Sequence, residues 1–97
     1  MNKQNVLKKL AVVREEIRQR FSVEKLYIFG SVARGEGSAH SDLDVLVTFK
    51  TKATFDLFMD LKFYLEELFE TKVDLVTDKA LRPRVRKAIE KELINVA

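Results

Sequence analysis

LYIFGSVARGEGSAHSDLDVLVTF, Leu26 to Phe49, opens on a short apolar and aromatic run, breaks at a glycine–serine pair and resumes as an alternating segment. Leu26-Tyr27-Ile28-Phe29 suits a buried strand that enters a turn at Gly30. From Gly30 to Ser41 the chain places all three of its glycines, Gly30, Gly35 and Gly37, together with Ser31, Ser38 and Ser41. That composition predicts a loop with at most one helical turn, and a loop so rich in glycine invites a functional explanation. Leu43, Val45, Val47 and Phe49 then alternate with Asp42, Asp44, Leu46 and Thr48, a period of two that predicts a second strand. One face of it is apolar, and both aspartates project from the other.

Outward from this stretch the pattern turns helical on both sides. Val6, Leu10, Val13 and Ile17 recur at helical steps and predict an amphipathic helix over residues 3–20. Phe58, Leu61, Leu65 and Leu68, widened by Leu57, Tyr64 and Phe69, predict a second long helix from Thr54 to Phe69. Lys72 to Thr77 reads as a third strand, with Val73 and Leu75 on one side and Asp74 and Val76 on the other. Pro83 fits the first turn of a final helix whose apolar stripe is Val85, Ile89 and Leu93, fading toward Ala97. Tyr27, Tyr64 and the seven phenylalanines fall on these apolar runs and are expected in the core. The expected fold class is α+β, a two-layer α/β arrangement in which helices pack on a small mixed sheet.

Ninety-seven residues with 46% apolar and 34% charged side chains suit a single domain over residues 1–97 and exclude a disordered or collagen-like chain. No apolar run is long enough for a bilayer, and the lysine-bearing start lacks the apolar stretch of a signal peptide, so a cytoplasmic protein without membrane association is expected. The absence of cysteine excludes disulfides, zinc–thiolate sites and cysteine nucleophiles. His40 is the only histidine and reads as a loop residue, so any metal must sit on carboxylates. The net charge of +3 permits phosphate-bearing ligands. Lys79, Arg82, Arg84, Arg86, Lys87 and Lys91 concentrate positive charge near the end of the chain. A solvated helix face is the ordinary reading of such a run, and RNA docking is the alternative.

The chemistry centres on three carboxylates. Strand geometry places Asp42 and Asp44 on one face about 6–7 Å apart, close enough to share a cation. Asp74 joins them if the third strand neighbours the second, and its position between Val73 and Leu75 predicts a carboxylate that is costly to bury unless it is paired or bound to metal. Oxygen-only ligands favour Mg²⁺ or Mn²⁺. Gly30 lets backbone approach a phosphate closely, Ser31 adds a hydroxyl, and Arg34 can make a charge-assisted contact to a terminal phosphate. Phosphates on the loop and metal on the next strand together describe phosphoryl or nucleotidyl transfer.

The run GSVARGEGSAHSDLD, Gly30 to Asp44, with ten residues between Ser31 and Asp42, closely resembles the signature of the minimal nucleotidyltransferases of the polymerase-β-like superfamily. Asp74 falls where that family has its third carboxylate. The resemblance spans nearly the whole chain, and no motif position departs from the pattern. It implies a core in which Gly30 and Ser31 hold the triphosphate of ATP, Asp42 and Asp44 bind two Mg²⁺ ions, and Asp74 helps to activate an acceptor hydroxyl. Stand-alone chains of this size look like MntA-type antitoxins, which implies a HEPN-domain ribonuclease toxin as partner and AMP transfer onto its tyrosine. So small a core also suggests that a second chain or self-association completes the site. Two rival expectations remain beside this one: inhibition of the partner by occlusion alone, and an acceptor that is RNA or a small molecule.

Overall fold

The computed structural model describes residues 2–37 and 42–97. Its elements run α1 (Lys3–Arg20), β1 (Val23–Phe29), α2 (Gly30–Ala33), β2 (Leu43–Phe49), α3 (Phe55–Phe69), β3 (Val73–Thr77), α4 (Pro83–Ile89), a 3-10 turn (Glu90–Glu92) and β4 (Ile94–Asn95). Both long helices begin on a capping side chain: Asn2 accepts the N–H of Gln4 at 2.7 Å, and Thr54 accepts that of Leu57 at 3.1 Å.

The strands form one mixed sheet in the order β3-β2-β1-β4. β1 and β2 are antiparallel, from Val23 opposite Phe49 to Phe29 opposite Asp44. β2 and β3 are parallel, because α3 carries the chain back across the sheet between them. The apolar faces of β1, β2 and β3 bury Leu26, Ile28, Leu43, Val45, Val47, Val73 and Leu75 against Val6, Leu10 and Ile17 of α1 and Leu61, Leu65 and Phe69 of α3. Helices on one side of a mixed sheet are the α+β arrangement expected, and the opposite face carries Asp44 and Asp74.

The structure departs from sequence expectation in five places. β1 begins at Val23, three residues early, with an irregular register between Val23 and Lys25 that lets the exposed pair Glu24 and Lys25 interrupt the apolar pattern. Leu46 is fully buried although it shares the face of the aspartates, so the second strand is covered on both sides at that level. The final helix stops at Ile89, and Leu93 lies beyond it; Ile94–Asn95 instead pairs antiparallel with β1 at Tyr27 and Ile28, satisfying an edge that would otherwise face water. Val85, on the expected apolar stripe, is 44% exposed. Of the phenylalanines, Phe21 and Phe69 are buried, whereas Phe55 and Phe63 on α3 are 76% and 57% exposed.

Candidate nucleotide and metal site

β1 ends at Phe29 in extended conformation, and Gly30 turns the chain with φ +76° into the four-residue helix α2. That left-handed φ favours glycine, and so does the space around it. A Cβ built on Gly30 falls 2.1 Å from Oδ2 of Asp44, so the carboxylate rests where a side chain would stand. The turn closes with Arg34 N–H donating to Gly30 O at 3.1 Å and Glu36 N–H to Ser31 O at 2.8 Å. The motif's glycine and its second aspartate are therefore in direct apposition, because Phe29 pairs with Asp44 across the antiparallel ladder.

Asp74 faces Asp44 in register on the parallel neighbour. The three carboxylates thus share one end of one sheet face, with Asp42 at the mouth of β2. Asp74 is exposed, however, which corrects the expectation of a buried acid: its side of β3 is open to solvent, and no burial cost arises there. The Asp44 carboxyl is pushed up to about 6, first by partial burial and then by the charges of Asp74, Asp42 and Glu92, while Arg34 opposes the shift. Among the described residues the carboxylates do not close into a ready-made cage for an ion. Mg²⁺ commonly takes only a few carboxylates and completes its shell with substrate phosphates, so this self-repelling, all-oxygen donor set fits it.

Arg34 is half exposed and reaches back to the carboxylates of Glu36 and Glu92. Glu92 is the site residue that sequence reading missed. It accepts the Gly30 N–H at 2.9 Å and Arg34 Nη1 at 3.0 Å, and the first of these contacts, with help from the second, holds its carboxyl below the usual carboxylate range. No local pattern marks it; the alternation of Ile94 and Val96 just beyond is the signal that could have revealed a strand bringing it home. The last three residues of the Gly30–Ser41 loop expectation that concern chemistry, Ser38, His40 and Ser41, lie outside the described residues. Lys79, Arg82, Arg84, Lys87 and Lys91 are exposed and Arg86 is partly so. Among the described residues no helix is long and apolar enough to cross a membrane.

Residues 10–96 match the nucleotidyltransferase domain family. The chain belongs to that family. A relative named protein adenylyltransferase MntA, from Thermococcus cleftensis, is 37% identical to this nucleotidyltransferase over 87 residues, covering 90% of this chain and 88% of its own. A solved structure assigned as a minimal nucleotidyltransferase superposes with a TM-score of 0.84 at 35% identity, covering 97% of this chain and 95% of that one. At 14% identity, a structure of a tri-AMPylated HEPN toxin of Shewanella oneidensis with its MNT antitoxin shares the fold, with a TM-score of 0.68 over 94% of this chain and 71% of that one.

Proposed function

We propose that this nucleotidyltransferase moves AMP from ATP onto a hydroxyl, that of a tyrosine, of a partner HEPN ribonuclease toxin, and thereby acts as its antitoxin. The observation that carries this reading is the apposition of Gly30 with Asp44, itself in register with Asp74. A phosphate-holding turn and a cation-holding carboxylate pair then meet at one point, as transfer at a phosphorus requires. The MntA relative supports the adenylyl donor, and the HEPN–MNT complex supports the partner.

Gly30, Ser31 and Arg34 would hold the triphosphate, with Arg34 on its terminal part. Asp42, Asp44 and Asp74 would hold Mg²⁺, which when bound neutralises the charge of the phosphates. The acceptor oxygen forms a bond to the α-phosphorus as the bond from that phosphorus to the α,β-bridging oxygen breaks. AMP remains on the acceptor, pyrophosphate leaves, and the hydroxyl proton passes to the Asp74 carboxylate and on to solvent, a transfer that the exposure of Asp74 allows.

Intact mass of a HEPN-domain partner, incubated with ATP and Mg²⁺, tests the proposal. The wild-type chain is expected to add mass in AMP units, and Asp42→Ala/Asp44→Ala to add none. An unmodified partner that is still bound and inhibited would replace catalysis with occlusion.

A further inference from the structure

Two donors of the Gly30–Arg34 turn, the Gly30 N–H and the Arg34 guanidinium, both end on one carboxylate brought from the other end of the described chain. Glu92 Oε1 takes the Gly30 N–H, and Glu92 Oε2 takes the Arg34 guanidinium. The reason lies in the register of β1 and β4. Ile28 pairs with Ile94 and Tyr27 with Asn95, so the same antiparallel register continued two residues further sets Gly30 opposite Glu92. The 3-10 turn at Glu90–Glu92 draws the backbone out of the ladder there, and the Glu92 side chain supplies the acceptor in its place. Its second oxygen is then free to reach Arg34.

A neutral acceptor would serve Gly30 equally well. A carboxylate at this position adds negative charge beside Asp44, which already feels Asp42 and Asp74. The charge therefore has to be accounted for by its cationic contact, Arg34. Glu36 also holds Arg34, but it lies two residues away on the same turn and cannot fix that turn relative to the sheet. Glu92 can, because it is attached to the edge of β1.

We infer that Glu92 is a positioning residue for the nucleotide, tying the Gly30 amide and the Arg34 guanidinium into one unit beside Asp44 so that Arg34 is already placed for the β- and γ-phosphates. The inference rests on the proposed role of Arg34 and deepens it. Ordering a long, half-exposed arginine before the ligand arrives removes an entropic cost from binding. Glu92 acts through Arg34 and Gly30 and takes no part in bond making.

Two measurements test it. Hydrogen exchange of the Gly30 amide without nucleotide is expected to be slower in the wild type and in Glu92→Gln than in Glu92→Ala. Dissociation constants for AMP-PNP with Mg²⁺, and for AMP, are then compared among wild type, Glu92→Ala, Glu92→Gln, Arg34→Ala and the double variant Glu92→Ala/Arg34→Ala. Glu92→Ala is expected to weaken AMP-PNP about three- to tenfold and to leave AMP nearly unchanged, with the double variant no weaker than Arg34→Ala alone. Glu92→Gln, which keeps the Gly30 contact and loses the charge, is expected to fall between. Additive effects of the two substitutions, an equal loss for AMP and AMP-PNP, or tighter AMP-PNP binding in Glu92→Ala would each overturn the inference. Coupled binding in a protein that transfers no AMP would instead overturn the proposed function and leave Glu92 in its role.

Discussion

Gly30 meets two demands at once, a left-handed φ and an absent side chain where Asp44 lies. Gly30→Ala should therefore lower stability by about 1–2 kcal/mol from backbone strain and, separately, displace the carboxylate. Chemical denaturation measures the first effect and AMP-PNP affinity the second; a variant that loses stability but binds normally would separate Gly30 from the site. Asp44 predicts a pH signature. Its carboxyl is pushed up in the folded chain to about 6 from the ordinary carboxylate value of 3.8, so between about pH 4 and 6 the folded chain holds a proton the unfolded chain has released, and stability falls as pH rises through that window. Asp44→Asn removes the titration. The variant should melt at a higher temperature than the wild type above pH 6, with the advantage shrinking toward pH 4, whereas parallel melting curves across this range would show that Asp44 bears no such strain.

Among the elements, α3 ends awkwardly. Its capping residue Glu70 has φ +52° in the left-handed region, where a Cβ is unwelcome and glycine is the usual choice. Glu70→Gly is expected to raise stability by about 1 kcal/mol in urea unfolding, and a loss would mean that the Glu70 side chain holds something the backbone does not reveal. The long elements were legible because each carries its own period: Val6, Leu10 and Ile17 on α1, Leu61 and Leu65 on α3, and the alternation of β2 all bury where they should. The motif residues Gly30, Asp42, Asp44 and Asp74 were legible too, since strand parity and one neighbouring pair of strands suffice to set them together. β4 was not. Leu93 sits at a helical step from Ile89 and continues the helical pattern, and the alternation of Ile94 with Val96 just beyond it is too short to outweigh that pattern by itself. The exposure of Asp74 depends on what covers the second face of the sheet, which strand parity leaves open, and the same is true of Phe55 and Phe63 on the outside of α3.

As a whole, the molecule is a thin body, 33 × 31 × 19 Å, with the long helices on one face of the sheet and the carboxylates on the other. Chemistry is thereby separated from the core, and loading the site should stabilise the protein without repacking it. AMP-PNP with Mg²⁺ at a hundredfold over the dissociation constant is expected to add about 2.7 kcal/mol to unfolding, and the gain should vanish with EDTA or in Asp42→Ala/Asp44→Ala. A gain that survives in the double variant would place the ligand elsewhere. The same architecture has a consequence for how the chain folds and opens. The contact between Gly30 and Glu92 spans 62 positions, and the strand that delivers Glu92 has two residues. Closing so long a loop is entropically slow, and so short a strand gives little in return, so this contact is formed late in folding and released early on local opening. The part of the protein proposed to handle nucleotide can come loose while the hydrophobic interior stays shut, so a second chain that gripped it there would tighten the site.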